Sequence, residues 1–265
     1  MKYLRVISAK TGPKGSYGVL KGETVCLLSL SPLSGKAKET GVSFPLKEVK
    51  KFLPPVEAPN VIALGLNYRA HAKEIKMDLP SAPIIFLKAT SSLAGHMESV
   101  ILPAEAPAEV DYEAELVVVI GKAAKNIPEK KASEHIFGYT CGNDVTARDC
   151  QWKTDKQWAR AKSFDTFAPI GPWIETELDT SRLRVRLRLN GKTMQDGSTT
   201  DLIFSVPMVV SYLSRQMTLV PGTLIMTGTP PGVGFTRKPP VFLKPGDEME
   251  VAIEGIGILK NPVVA

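Results

Sequence analysis

The stretch EVDYEAELVVVIGK, Glu109 to Lys122, combines two patterns that rarely share a strand. Its second half is a β-branched run of the kind a sheet buries, while its first half sets Asp111, Glu113 and Glu115 at alternate positions. Side chains at i and i+2 of a strand point to one face, so Glu113 and Glu115 project together, with Asp111 beside them if the strand begins that early. Two like charges held so close repel each other and call for a compensating cation. Read alone, the pair also fits a solvated strand face. The stretch GYTCGNDVTARD, Gly138 to Asp149, weighs against that, because Asp144 follows a second predicted strand in a polar segment with an Arg after it. A third hard oxygen ligand on a neighbouring strand completes a carboxylate set of the kind Mg²⁺ or Mn²⁺ accepts, leaving other positions for water and substrate. With only three His in the chain, a histidine-based zinc site is the poorer alternative.

Strands dominate on both sides of this segment. Upstream, YLRVIS, YGVL and TVCLLSL are short strands broken by Gly, Pro and Ser turns, and FLPPVEAPN reads as an extended linker. A small β-rich N-terminal module over residues 1–57 and a larger domain over 58–265 are expected. Beyond Val61, VIALGL, APIIFLK, AELVVVIG, FGYTCGND, RVRLRLNGKTMQ, TLIMTGTP and DEMEVAIEGIGILK continue the pattern, with Asn190-Gly191 a strong hairpin signal. Helical periodicity is brief: YRAHAKEI, EKKASEHI, and SVPMVVSYLSRQ with Ser205 as its N-cap and Pro207 in its first turn. No strand–helix alternation supports a doubly wound sheet. The fold class is α+β, mainly β.

Composition narrows the function. A chain of 265 residues, 43% hydrophobic and 23% charged, is ordinary for a soluble enzyme. No apolar run reaches the roughly 18 residues that span a bilayer, and the N-terminus lacks the apolar core of a signal peptide, so no membrane partner and a cytoplasmic location are expected. The net charge of +6 arises in residues 1–57, which carry ten Lys/Arg against four Asp/Glu; the rest balances, 23 against 23. Without an aromatic-interleaved basic patch, no nucleic-acid partner is expected. Cys26, Cys141 and Cys150 have no CxxC spacing and read as buried thiols.

Seven ordered motifs now carry a resemblance: GLNYRAHAKE, IIFLK, DYEAELVVVIGK, GYTCGNDVTARD, AKSFDTFAPIGPW, NGKTMQDGSTTDLIFS and LIMTGTPPGVG, over about residues 60 to 258. Together they resemble the fumarylacetoacetate hydrolase (FAH) family, in its short bacterial form. The resemblance implies an FAH-type β-roll in the C-terminal domain, a homodimer, and one divalent metal, Mg²⁺ or Mn²⁺, held by Glu113, Glu115 and Asp144. Asp111 is not a ligand in the pattern and is read as supporting the ligands or as a turn residue. The long eukaryotic members use a further carboxylate upstream, and nothing near Asn67 and Tyr68 matches it, which makes fumarylacetoacetate itself a weaker candidate substrate.

His71 and Glu74 are three apart, neighbours on a helical face, and a carboxylate beside an imidazole raises its basicity and fixes its tautomer. By resemblance this pair lies on a lid helix and activates water or relays protons. Lys162 matches an active-site lysine that neutralises charge on the substrate oxygen, Gln151 orients water or substrate, and Arg148 contacts substrate or braces Asp144. TGTPPGVG, Thr227 to Gly234, is a Gly-rich turn whose backbone N–H groups can approach an anion, and Thr229 matches a substrate-carboxylate contact. His96 and His135 match nothing and read as structural. These residues fit an enzyme acting on a small-molecule 2-oxo or 2-enol (di)carboxylate. Hydrolytic C–C cleavage of an acylpyruvate-like substrate comes first, isomerisation, tautomerisation or decarboxylation of a related dicarboxylate second, and a non-catalytic ligand-binding protein third.

Overall fold

The strand read from the opening stretch runs over Ala114–Ile120, and all of its residues are buried. Leu116, Val118 and Ile120 face a core of 38 buried side chains, whereas Val117 and Val119 face a second, smaller core on the opposite side. Burial on both faces explains why the run is continuously apolar rather than alternating. The computed structural model describes the whole chain, Met1 to Ala265.

Ala114–Ile120 lies inside a 12-stranded sheet, antiparallel to Ile136–Asn143 on one side and to Leu224–Met226 on the other. Leu224–Met226 then pairs parallel with Val61–Gly65, which pairs antiparallel with Ile84–Lys88 at the edge. A second sheet of five strands contains the Arg184–Leu189 and Lys192–Ser198 hairpin, and its Val185, Leu187, Val251 and Ile253 close the larger core. Asn190 and Gly191 both take positive φ, 51° and 77°, as a two-residue turn of this hand requires. The Val206–Gln216 helix begins as its sequence predicts, with the Ser205 hydroxyl accepting from the Met208 N–H. Val206, Val209, Val210 and Leu213 form its buried stripe, each worth roughly 1.5–3 kcal/mol of transfer free energy when fully buried.

Several expectations change. EKKASEHI forms a 3₁₀ segment, Glu129–His135, in which Ala132 alone is buried; it has no apolar stripe to reward an α-helix. Ala168–Glu175, not anticipated as a strand, is one: Pro169, Gly171 and Pro172 hide its pattern. It carries the N-terminal strands, because Lys2–Ile7 pairs with it on the side away from Ile136–Asn143. Residues 1–57 thus have a small core of their own, Leu4, Val6, Val25, Leu27 and Phe44, yet continue the large sheet. Cys141 and Cys150 are buried thiols, but Cys26 is only partly covered.

His96 and His135 serve the scaffold. His96 Nδ1 accepts the Lys260 backbone N–H at 3.0 Å and its ring meets Phe52 edge-on. Burial, then the nearby Lys260 ammonium, pulls its pKa from 6.5 down to about 4. The unfolded chain therefore binds the extra proton between these values, so His96 contributes stability that is complete above pH 6.5 and drains away toward pH 4. His96→Asn, which can keep the acceptor without the titration, should flatten this part of a melting-temperature profile against pH. An unchanged acid limb would show that other groups set it.

Candidate metal centre and active-site cleft

The carboxylates converge where two neighbouring strands end. Glu113 immediately precedes Ala114–Ile120, Glu115 is its second residue, and Asp144 directly follows Ile136–Asn143, whose Asn143 pairs with Ala114. One oxygen from each of Glu113, Glu115 and Asp144 lies within 4.8 Å of the others. Backbone bonds hold the register: the Asp144 N–H donates to Glu113 O at 2.8 Å, and Asn143 Oδ1 accepts the Glu113 N–H at 2.9 Å.

Cations meet some of this charge. Lys162 Nζ donates to Glu113 Oε2 at 3.0 Å, Asp144 Oδ2 at 2.5 Å and Thr146 Oγ1 at 2.9 Å, which uses all three ammonium hydrogens. Lys88, at the end of the edge strand, donates to Asp144 Oδ1. Arg148 reaches Asp111 through Nε at 3.0 Å and lies with Nη2 2.7 Å from Glu113 Oε1. Burial works to raise the Glu113 carboxyl, but Lys162 and Arg148 outweigh it and hold the group well below the usual carboxylate range.

Glu115 is treated differently. It is fully buried, Oε2 accepts the Gly228 N–H at 2.7 Å, and Oε1 has no hydrogen-bond partner. Burial, together with the charges of Asp144 and Glu113, pushes its carboxyl up. An orphaned carboxylate oxygen beside two other carboxylates is the donor set a hard divalent cation fits, and such an ion would relieve the burial cost that the cluster otherwise carries. Counted by formal charge, four buried carboxylates, Asp111 included, face three buried cations, Lys88, Arg148 and Lys162, a balance of one negative charge when all are ionised. A divalent ion would turn that into one positive charge, the complement of a monocarboxylate ligand.

The Gly-rich turn does bind anions, but they are the protein's own. Besides Gly228 with Glu115, the Gly232 N–H donates to Glu74 Oε1 at 2.9 Å, and the Gly234 and Phe235 N–H groups donate to the two oxygens of Asp111 at 2.7 and 3.0 Å. Gly228 needs to be glycine, with φ of 97° and an added Cβ only 2.8 Å from the Asn67 Cβ. Asp111 fastens both Arg148 and this turn, a place that suits a residue supporting the carboxylate cluster. Thr229 lines the cleft, yet its hydroxyl hydrogen goes to Ala114 O at 2.9 Å while Gln195 Nε2 donates to its oxygen, so the hydroxyl does not point a free donor at a substrate carboxylate. Lys162 likewise is paired with Glu113 and Asp144. Arg148 braces Asp111 and Glu113, not Asp144, and holds Gln151 Oε1 at 2.8 Å.

The predicted pair forms. His71 lies in the Arg69–Glu74 helix, and its Nδ1 is 2.9 Å from Glu74 Oε2. Thr236 Oγ1 adds a second bond to Glu74 Oε1 at 2.9 Å, and these bonds outweigh burial to lower the Glu74 carboxyl. The Asp201 carboxylate accepts the Ala70 N–H at 2.8 Å and so caps the helix start. His71, Glu113, Arg148, Gln151, Lys162 and Thr229 line one narrow cleft enclosing about 40 Å³, room for a few waters. Of the three carboxylates, Glu113 alone lines the cleft; Glu115 and Asp144 are buried beside it. Asn67, where an upstream carboxylate was sought, instead ties the Phe204 and Thr227 backbones. Lys88, Asn143 and Gln195 were missed by sequence reasoning. For Lys88 a signal existed: a lysine ending an apolar strand, IIFLK, in a chain whose carboxylate cluster needs cations.

A mainly β scaffold that buries three converging carboxylates beside a His–Glu pair defines an enzyme with a candidate metal centre. Residues 60–264 match the model of the fumarylacetoacetate (FAA) hydrolase C-terminal domain, and residues 1–55 match the Rv2993c-like N-terminal model. The chain belongs to the fumarylacetoacetate hydrolase family. It is 45% identical to the mitochondrial oxaloacetate tautomerase Fahd2a of Rattus norvegicus over 80% of this chain and 69% of that one. The crystal structure of a 5-carboxymethyl-2-hydroxymuconate delta-isomerase from Mycobacterium smegmatis is 41% identical, with a TM-score of 0.89 over 100% of this chain and 99% of that one. A 2-hydroxyhepta-2,4-diene-1,7-dioate isomerase from Mycobacterium marinum gives 39% and 0.88, over 100% and 98%. No helix is long and apolar enough to cross a membrane.

Proposed function

We propose that this chain is a divalent-metal-dependent isomerase or tautomerase of 2-oxo and 2-enol carboxylates, Mg²⁺ or Mn²⁺ being held by Glu113, Glu115 and Asp144. The observation that carries the reading is the unpartnered, buried Glu115 oxygen beside the other two carboxylates, one of which, Glu113, lines the same cleft as His71. The order of reactions differs from the sequence expectation, which put hydrolysis first. One enolate serves cleavage and proton transfer alike, so the ligand set does not rank them; the names of the relatives, a tautomerase and two isomerases, favour proton transfer.

A divalent metal held by Glu113, Glu115 and Asp144 would supply Lewis-acid polarisation of the substrate's 2-oxo acid end. His71, oriented by Glu74 through Nδ1, has Nε2 free to take the proton from C3 as the C3–H bond breaks. The proton returns on the enol oxygen, so keto and enol forms interconvert with no change in atoms. Gln151 has its amide NH₂ free for the cleft, since its oxygen is taken by Arg148. Lys162, Lys88 and Arg148 hold Glu113 and Asp144 in place, and Lys162 and Arg148 keep Glu113 ionised.

A panel of 2-oxo acids assayed with saturating Mg²⁺ tests this, following enol absorbance and exchange of the C3 proton in D₂O. Exchange without C–C cleavage is the expected result; release of cleavage products at the exchange rate would restore hydrolysis to first place. For the best substrate, the acid should exceed its methyl ester by at least roughly 10²-fold in kcat/KM, about 2.7 kcal/mol, because esterification removes the charge and one metal contact. Equal rates would remove the carboxylate from the metal site.

A further inference from the structure

The cleft has a polar floor and an aromatic outer wall. Trp158 opens the short Trp158–Ala161 helix, and the Lys162 N–H donates to Trp158 O at 3.1 Å, so the indole sits one turn before the lysine that reaches the carboxylates. The indole is pressed onto Gly65, where an added Cβ would lie 2.3 Å from Cζ3; glycine there makes room for the ring. Trp152, in the π-turn Cys150–Thr154 directly after Gln151, meets Trp158 edge-on with centroids 5.7 Å apart. It is 39% exposed at the cleft, an indole surface that nothing in the chain covers. Ile75 and Met77, after the His71 helix, close the other side.

The lining cations are already taken. Arg148 is paired with Asp111 and Glu113, and Lys162 with Glu113 and Asp144. A second carboxylate placed against the indoles would lose water without gaining a counter-ion, whereas an alkyl or aryl group would bury apolar surface there.

We infer that the group distal to the 2-oxo acid end of the substrate is apolar, alkyl or aryl, and packs on Trp152 and Trp158, so that a monocarboxylate is preferred over a dicarboxylate. This rests on the reading of the site as one for 2-oxo acids. Phenylpyruvate and oxaloacetate form a matched pair for the test, since both enolise at C3 and differ in bearing a phenyl or a carboxylate there. With Mg²⁺, kcat/KM for tautomerisation should favour phenylpyruvate at least tenfold, and calorimetric Kd values for the two acids should fall in the same order. In Trp152→Ala the selectivity ratio should drop at least tenfold, and in Trp152→Arg it should swing further toward oxaloacetate. A wild-type ratio at or below one, or a ratio unmoved in both variants, overturns the inference and leaves the 2-oxo acid reading standing. Turnover and binding of neither acid overturns both.

Discussion

Glu115→Gln should fold as well as the parent, fail to gain stability from Mg²⁺ or Mn²⁺, and lose at least roughly a thousandfold in kcat/KM, about 4 kcal/mol of transition-state stabilisation. Removing one member of a buried ion pair is strongly destabilising because it strands the other, but Glu115 makes no ion pair with a cation that its loss would strand. Gln keeps an acceptor for the Gly228 N–H and removes one charge from a cluster in which Asp144 and Glu113 already push the carboxyl up. Without metal, its melting temperature should equal or exceed that of the parent. With metal at a hundred times its Kd, the parent should gain about 2.7 kcal/mol, and the variant should gain little. A variant that is destabilised without metal yet binds and turns over normally would make Glu115 a structural residue.

His71→Ala should separate the proton-transfer pair from the metal centre. His71 is hydrogen-bonded to Glu74 and to none of Glu113, Glu115 and Asp144, so metal-induced stabilisation should persist. Loss of a positioned base lowers kcat by roughly 10²- to 10⁴-fold, with KM little changed. Glu74→Gln should be as costly for chemistry, because a Gln whose oxygen accepts from the Gly232 N–H turns its NH₂ toward His71 Nδ1 and forces the ring proton onto Nε2, the nitrogen needed as the base. Wild-type kcat in His71→Ala on the best substrate would reduce the pair to a structural bond within the Arg69–Glu74 helix.

The alternation of Glu113 and Glu115 before a β-branched run was enough to place two of the converging carboxylates together, and the Asp after a neighbouring strand supplied the third. What could not be read was where the compensating charge comes from. Lys88 is 56 residues from Asp144, and only the pairing of Val61–Gly65 with both Ile84–Lys88 and Leu224–Met226 brings that edge beside the cluster. Lys162 and Thr229 are assigned to substrate by their match to family positions; the bonds they also make to Glu113, Asp144 and Ala114 O are tertiary and leave no local trace in the sequence. The strand Ala168–Glu175 escaped because two prolines and a glycine suppress the usual signal. Its place in the sheet tolerates them, and it joins the N-terminal strands to those that carry the site.

The most direct measurement is a titration of the metal-stripped protein with Mn²⁺, read by electron paramagnetic resonance, in the parent and in Glu115→Gln, before and after adding the best 2-oxo acid. One ion bound per chain in the parent, a spectrum altered by the 2-oxo acid, and weak or no binding in the variant are expected. Equal Mn²⁺ binding in both proteins, or a bound ion indifferent to the acid, would contradict a metal centre built on Glu113, Glu115 and Asp144 that engages the substrate.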